Sequence, residues 1–459
     1  MSPTTDAPSW PALPAHAGAE EHAAPGAPLT DEEAAGRVLS GALRWTEANL
    51  EWFAPQRWQE YLPPRPFGPG PLLELLSLIR VLERSGLMPL DAPLRLRALD
   101  LAEEAAHTDD FARGMERGDE LFPYHLNLIG LLECLGHPQR ELRTRCQALL
   151  AAGSGGHALP YKPVLNRIEL RYFIDRAGFT APSALPGLGT LHRQSIAALG
   201  PDVLQLTESE IYAFTHVLFY VTDFGQRRDL LGDPEELASL HETVRVLLGV
   251  HLARGSLDLL AELLLCDSAL SSDEEGVQNG RPEPGQGGDS GDGSEFLVSA
   301  GWNALVRAAR ADGSVPSPVH RPDILAGLTG DKAAAYVFGT CYHTTLAAAL
   351  AAGVARAAVP EGSRADRAGR SCTPPRVPMP RAEPEEIRRW ARAASTVPGP
   401  ARAGEPGACR GHLGPLLVLA VQARDPDVLA EVLRAADRQG QSGDLLVRSA
   451  NALLAAWSH

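Results

Sequence analysis

The sequence contains no signature motif of nucleotide-binding proteins, of serine hydrolases or of zinc-dependent proteases. It has no Gly-x-x-x-x-Gly-Lys-[Ser/Thr] loop, no Gly-x-Gly-x-x-Gly segment after a strand and no Gly-x-Ser-x-Gly elbow. A His-Glu-x-x-His motif is also absent, because Arg245 stands where a second histidine would have to follow His241 and Glu242. These absences argue against P-loop enzymes, dinucleotide-binding enzymes, α/β-hydrolases and zincin proteases.

Positive charge is scarce in this chain of 459 residues, which has 42 Lys+Arg, 57 Asp+Glu and a formal net charge of −15. Binding to a phosphate backbone or to an anionic membrane requires a cationic face, so the acidic balance disfavours both partners. No uninterrupted apolar run reaches the length of about 18 residues that suggests a membrane-spanning helix. The first 30 residues also lack a charged segment followed by an apolar one. We therefore expect a cytoplasmic protein that binds neither nucleic acid nor membrane.

Cysteine is sparse and never occurs as Cys-x-x-Cys. The six cysteines are scattered along the chain, at Cys134, Cys146, Cys266, Cys341, Cys372 and Cys409. In a reducing compartment such residues are free thiols, and several are expected to be buried as small apolar side chains.

The abundant glycine and proline, 44 and 38 residues, indicate irregular segments beside a globular core. Residues 1–29 are predicted to be disordered, as is an acidic insertion at 271–295. A Pro/Arg-rich linker is predicted at 359–382. This division leaves a helical core domain at 30–358 and a small C-terminal helical block at 383–459.

Nearly all of the remaining sequence has helical periodicity, because Leu and Ala dominate and β-branched alternation is rare. Helices are predicted at 163–177, 207–223, 256–268 and 331–354, among others. Short connections between the central helices favour antiparallel helix pairs. The predicted fold is all-α, with these pairs forming either a ring (an α/α toroid) or a short solenoid, since no fixed repeat decides between the two.

The segment 208–225 is the first candidate for a functional site. As a helix it places Tyr212, His216, Phe219 and Asp223 in one stripe, at steps of four, three and four residues. His216 and Asp223 would lie roughly 10 Å apart along the axis, so they could border one cavity without contacting each other. Polar groups in an apolar stripe need partners from another helix.

The segment 336–346 is the second candidate, with Tyr336, Thr340, His343 and Ala347 in one stripe. On a regular helix Cys341 and His343 diverge by about 200° and cannot bind the same metal ion. We therefore predict a protein without stoichiometric zinc and without another cofactor.

Three interpretations of the two histidines stay open at this point. His216 and His343 are either core residues that hydrogen-bond across helices, or a proton-transfer pair, or metal ligands together with Asp223. The candidate catalytic set is completed by Tyr212 and Tyr342, although tyrosines in such stripes are more often packing residues with a satisfied hydroxyl.

Other polar or aromatic groups are interpreted as structural. The segment 122–127 is expected to cap or turn a helix start. Arg167 and Arg171 are expected to pair with Glu169 or with another surface acid. Three tryptophans between 45 and 58 are expected to pack in the core or in an interface.

Two blocks of the sequence resemble the paired signatures of an actinobacterial helical family of unknown function. Residues 215–225 read Thr-His-x-x-Phe-Tyr-x-Thr-Asp-Phe-Gly, and residues 342–346 read Tyr-His-Thr-Thr-Leu. The opening helix at 39–55 and the Asn-Arg pair at 166–167 fit the same pattern. The resemblance covers about 35 to 355, whereas the acidic insertion and the tail lie beyond it.

Members of that family occur in natural-product gene clusters, and the proposed cyclase of class V lanthipeptide pathways is a similar helical protein. The resemblance implies a lyase-type enzyme that adds cysteine thiols of a precursor peptide to dehydrated Ser or Thr. It also implies a complex with other biosynthetic enzymes. His216 and His343 would then transfer protons, and Asp223 would orient one imidazole. The Cys-His ligand pair of zinc-dependent lanthionine cyclases is absent, which implies a mechanism without metal.

A non-catalytic helical scaffold or a precursor-peptide-binding protein is the alternative function. The enzyme requires a sizeable cavity bordered by residues 212–223 and 336–343. The scaffold allows both segments to be fully packed.

Overall fold

The computed structural model describes residues 29–271, 292–357, 382–395 and 413–457. These residues form nineteen α-helices and two 3₁₀-helices with no strand among them, which confirms the predicted all-α fold. The predicted N-terminal segment, acidic insertion and Pro/Arg-rich linker lie almost entirely outside the described residues.

The helices follow one another along the chain with short connections. They are α1 (Asp31–Ala48), α2 (Pro55–Tyr61), α3 (Gly70–Arg84), α4 (Pro93–Ala106), α5 (Asp109–Arg117), α6 (Phe122–Cys134), α7 (Arg140–Ala151), α8 (Val164–Arg176), α9 (Leu188–His192), α10 (Glu208–Val221), α11 (Pro234–Arg254), α12 (Leu257–Ser271), α13 (Asp292–Ala308), α14 (Pro322–Ala326), α15 (Gly330–Ala357), α16 (Pro384–Ser395), α17 (Leu413–Gln422), α18 (Pro426–Arg438) and α19 (Leu445–Trp457).

Capping boxes begin two of these helices. The Thr207 hydroxyl accepts from the backbone N–H of Glu210, and the Glu210 carboxylate accepts from the backbone N–H of Thr207. Thr30 and Glu33 form the same reciprocal pair at the start of α1. Each box satisfies backbone donors that have no partner inside the helix, so the sequence determines both starting points.

Six helices contact one another in a closed cycle. Along the chain α3, α6, α8, α10, α12 and α15 each pack against the next, and α15 packs back against α3. The cycle surrounds a central space that every one of its helices faces. A ring of helices requires such a cyclic order of contacts. The prediction that the helix pairs form either a toroid or a short solenoid stays a prediction.

Helix α15 is the apolar centre of the fold, in contact with α1, α3 and α12. The helix is long enough to span a membrane, and a window of 18 residues within it has a mean hydropathy of 1.3, although polar residues interrupt every apolar run. Other helices bury 72% of the apolar window, so packing in the protein accounts for this composition.

An aromatic cluster joins α15 to the first two helices. The ring of Phe338 stacks on Trp45 at 5.7 Å and meets Phe53 and Trp58 edge-on at 4.9 Å and 5.9 Å. Trp45, Trp52 and Trp58 are all buried, which confirms the prediction that the three tryptophans pack in the core.

The C-terminal helices pack on one another and on the core. Helix α17 contacts α16, α18 and α19 on one side and α11 on the other. At the crossing with α11, a Cβ on Gly249 would lie 2.5 Å from a side-chain carbon of Pro415. The absence of a side chain at Gly249 therefore permits this close approach.

Substitution Phe338→Ala should lower the free energy of unfolding by about 3–5 kcal/mol, because it leaves a cavity in the aromatic cluster. Urea unfolding followed by circular dichroism measures the change. Tyr161→Ala is the control, since Tyr161 is exposed and its loss should change stability by less than about 0.5 kcal/mol. Equal stability of the two variants would contradict this description of the core.

Candidate functional site

The closed cycle of six helices surrounds a cavity of about 600 Å³. One part of its wall is apolar and aromatic, and another part carries histidine and carboxylate side chains. The apolar part includes Phe67, Phe173, Phe219, Tyr220 and Leu346, and the polar part includes Glu74, Glu169, His216, Glu262 and His343. The structure therefore brings His216 and His343 to one cavity, as the sequence predicts.

His343 lies on α15 among three carboxylates. Its Nδ1 lies 2.7 Å from Oε2 of Glu74, and its Nε2 lies 3.6 Å from Oδ2 of Asp258 and 3.9 Å from Oε1 of Glu262. Burial opposes the positive charge, but the carboxylates of Glu74, Asp258 and Glu262 outweigh it and raise the pKa of His343 to about 10. Since 43% of its side chain is exposed, solvent reaches this imidazole.

His216 lies on α10, and one of its ring nitrogens is bonded to its own helix. Its Nδ1 is 2.9 Å from the carbonyl oxygen of Tyr212, which can only accept a hydrogen bond. In the neutral form of the ring, Nδ1 therefore carries the proton and Nε2 carries the lone pair. The side chain is 33% exposed, so Nε2 can be reached from the cavity.

Glu262 on α12 lies between the two imidazoles. Its Oε2 accepts a 2.6 Å hydrogen bond from the Thr215 hydroxyl and lies 3.6 Å from Nδ1 of His216, whereas its Oε1 faces His343. Burial raises the pKa of Glu262, and the imidazole of His216 lowers it in part. One buried carboxylate thus links residues from α10 and α15.

Asp258 is one turn before Glu262 on the same face of α12. Its two carboxylate oxygens accept hydrogen bonds from the Tyr212 phenol at 2.6 Å and from the Thr344 hydroxyl at 3.1 Å. Asp258, Glu262 and His343 each offer a ligand atom within 4.8 Å of the others, an arrangement that can hold a metal ion.

Sequence reasoning missed Glu74, Asp258 and Glu262. A signal was present on α12, because Asp258 and Glu262 are four positions apart and lie among leucine and alanine residues in the first part of the helix. Acids at that spacing share one face, and burial among leucines requires partners from elsewhere. For Glu74 the sequence offers no comparable signal.

The two candidate tyrosines lie behind these carboxylates. The Tyr212 phenol donates to Asp258, and the Tyr342 phenol donates to Glu74 at 3.2 Å. Burial and the neighbouring carboxylates raise the pKa of both phenols. Tyr212 and Tyr342 therefore stay protonated and position the carboxylates, and the structure gives them no contact with His216 or His343 that would transfer a proton.

The prediction that Asp223 borders the cavity with the two histidines is wrong. Helix α10 ends at Val221, and Asp223 has a φ of 49°, so the helical stripe does not extend to it. Its carboxylate instead accepts 2.7 Å hydrogen bonds from Tyr172 and Arg84. Asp223 consequently orients neither imidazole, and the metal site of His216, Asp223 and His343 is not formed.

Asp223 is the centre of a buried ion cluster. Arg80 and Arg176 lie 3.4 Å and 3.3 Å from its carboxylate, in addition to Arg84. Burial alone would raise the pKa of Asp223, but the guanidinium groups of Arg84 and Arg80 hold it below its usual value. The cluster ties the end of α10 to α3 and α8.

One further expectation needs correction. Tyr124 and Asn127, which were expected only to cap or turn a helix, line the cavity. Asn127 donates a 3.0 Å hydrogen bond to Glu169, and burial raises the pKa of that carboxyl. Arg171 pairs at 2.9 Å with Asp175, a surface acid, as the sequence predicts.

The described cysteines are free thiols, as predicted, at Cys134, Cys146, Cys266 and Cys341, whereas Cys372 and Cys409 lie outside the described residues. Helix α15 continues without a break at Gly339, so Cys341 and His343 diverge as expected. Burial raises the pKa of Cys341, which disfavours a reactive thiolate there.

Substitution Asp223→Asn should lower the free energy of unfolding by about 3–5 kcal/mol at pH 7, because three arginines lose their buried counter-charge. The contribution of Asp223 is present above its unfolded pKa of about 4 and is lost as the pH falls through its lower folded pKa. Urea unfolding between pH 7 and acid measures both effects.

Asp175→Asn is the matched control for this substitution. Its partner Arg171 forms a more exposed pair, so the expected loss is at most about 1 kcal/mol. Equal destabilisation by the two variants at pH 7 would contradict the ion cluster's role in holding the end of α10.

Comparison of the chain with curated proteins and with solved structures gives no similar protein in either set. A family model described as a domain of unknown function, DUF6895, matches residues 39–353. The match covers more than half of the chain and includes all residues that line the cavity. The chain therefore belongs to the DUF6895 family, whose description names no activity.

Proposed function

We propose that the protein is a peptide-tailoring enzyme that forms thioether rings by adding a cysteine thiol to a dehydrated serine or threonine. One observation carries the proposal. His216 and His343, from two separate helices, reach the same solvent-accessible cavity and lie on either side of Glu262. A scaffold whose histidines only specify the fold would have no need of such a cavity.

The proposed reaction needs one proton to be moved and no oxidant or reductant. The S–H bond of the cysteine breaks, an S–Cβ bond forms, and the electron pair of the Cα=Cβ bond takes up a proton at Cα. The Nε2 lone pair of His216 accepts the thiol proton, and the resulting imidazolium can return it to Cα. Glu262, 3.6 Å from the other ring nitrogen, stabilises that imidazolium.

Negative charge develops on the carbonyl oxygen of the dehydrated residue when the thiolate adds. A hydrogen-bond donor placed at that oxygen lowers the barrier. His343 faces the cavity from α15, and Glu74 fixes the orientation of its ring through Nδ1. Nε2 of His343 is therefore the group that we assign to the carbonyl side of the reaction.

The cavity dimensions and lining support a peptide segment as the substrate. A volume of about 600 Å³ is within the range of pockets that enclose a small ligand, so a few residues of a precursor would enter at once. The aromatic wall, with Phe173, Phe219 and Tyr220, offers apolar contacts to side chains next to the ring being formed.

A binding protein without catalysis remains the competing function, and substitution of His216 separates the two. The Nδ1 bond of His216 to its own helix can be lost without emptying the core, because the side chain is partly exposed. An enzyme would lose its base and keep its fold. A scaffold would lose nothing measurable except stability.

Substitution His216→Gln should leave the melting temperature close to that of the wild type and slow ring formation about 10²–10⁴-fold. The assay uses a synthetic peptide that contains both dehydroalanine and cysteine. Ring formation does not change the peptide mass, so the loss of thiols that react with iodoacetamide reports the product.

His107→Gln is the matched control. His107 makes the same bond from Nδ1 to the carbonyl of the residue four positions earlier, at 2.8 Å, but it is exposed at the end of α4. Its substitution should not affect ring formation. If His216→Gln behaves like His107→Gln, or loses activity only in proportion to unfolded protein, His216 is not the base.

A further inference from the structure

Two possible ligand atoms at His343 and Glu262 have no hydrogen-bond partner among the described residues. Nε2 of His343 lies 3.6 Å from Asp258 and 3.9 Å from Glu262, which is beyond hydrogen-bonding distance. Only 3% of the Glu262 side chain is exposed, yet its Oε1 accepts no hydrogen bond from any described residue. A carboxylate that is largely removed from water favours positive charge beside it, and His343 is the cationic side chain nearest to this oxygen.

The spacing of these atoms suits a single ion between them. Ligand atoms bound to one transition-metal ion at about 2.0–2.2 Å lie roughly 3–4 Å from one another. The ligand atoms of Asp258, Glu262 and His343 already lie within 4.8 Å of one another. Small side-chain rotations would therefore complete the coordination.

The surroundings hold each ligand in a fixed orientation. Glu74 accepts a 2.7 Å hydrogen bond from Nδ1 of His343, which directs Nε2 towards the two carboxylates. A carboxylate behind a ligand histidine is the usual support of a metal-bound imidazole.

The two carboxylates are supported in the same way. The hydroxyl groups of Tyr212 and Thr344 bind Asp258, and that of Thr215 binds Glu262. Because these donors come from α10 and α15, the ligands of α12 are oriented before any ion arrives.

We propose that Asp258, Glu262 and His343 bind one divalent transition-metal ion, with its open coordination positions towards the cavity. One imidazole and two carboxylates suit Zn²⁺ or Mn²⁺ better than Mg²⁺, which favours ligands that are all oxygen. The ion would replace the Nε2 proton of His343 as the positive group facing the cavity.

This inference reverses the prediction of a protein without stoichiometric zinc. That prediction considered Cys341 with His343, and those two residues do diverge. The carboxylates of Asp258 and Glu262 come from α12, so the residue spacing around His343 on α15 does not reveal them. The inference does not depend on the proposed reaction, because metal binding can be measured without a peptide.

Metal-free, full-length protein titrated with Zn²⁺ tests the proposal. We expect one Zn²⁺ per wild-type chain, retained through gel filtration and accompanied by a rise in melting temperature. Glu262→Gln and His343→Ala should lose stoichiometric binding, and Glu74→Gln should weaken it about 10–100-fold. Glu169→Gln, which changes another carboxylate of the same cavity, should bind like the wild type.

Two results would overturn the proposal. The first is wild-type protein that retains no Zn²⁺ or Mn²⁺, and the second is undiminished binding by Glu262→Gln and His343→Ala. If circular dichroism shows that these variants are unfolded, NMR spectroscopy of the wild-type protein with bound Co²⁺ tests the proposal instead. Paramagnetically shifted imidazole signals from His343 are expected, and their absence would place the ion elsewhere.

Discussion

The carboxylates of Asp258 and Glu262 are buried on one face of α12 and need hydrogen-bond donors or positive charge beside them. The central helices provide these partners. Partners come from α10 through Thr215 and His216 and from α15 through His343. Unpaired charges in such a position would destabilise the fold, so the helices that carry the partners must meet at α12. The polar residues around Asp258 and Glu262 therefore constrain how the helices pack, and they also form the part of the cavity that is best suited to catalysis.

The closed cycle of helices explains how residues that are far apart along the chain come together in space. Each helix contributes a side chain or two to a shared space, and the same packing that buries leucines outside the cycle aligns polar groups inside it. The Asp223 cluster holds the end of α10 against α3 and α8, so it acts on the position of the helix rather than on the cavity. Two ion clusters consequently stabilise the fold, and the one at α12 also contributes residues to the cavity wall.

Sequence periodicity predicts the helices and the helix faces on which His216 and His343 lie, because both properties follow from spacing along single helices. It fails at Asp223, where Thr222 bonds back to Leu218 and the backbone turns left-handed after α10 ends. It also fails for Glu74 and for the carboxylates beside His343, since their partners belong to other helices. Distances between helices are set by packing, which a pattern in one segment does not contain.

We propose that cysteine thiols add to dehydrated residues in the cavity that α10 and α15 line. Thioether formation by the wild-type protein in D₂O, resolved by product stereochemistry, tests it most directly. We expect faster ring closure than in buffer alone, with deuterium at Cα and a single diastereomer, because His216 would deliver the proton from one side. A mixture of diastereomers formed at the rate seen in buffer would contradict it.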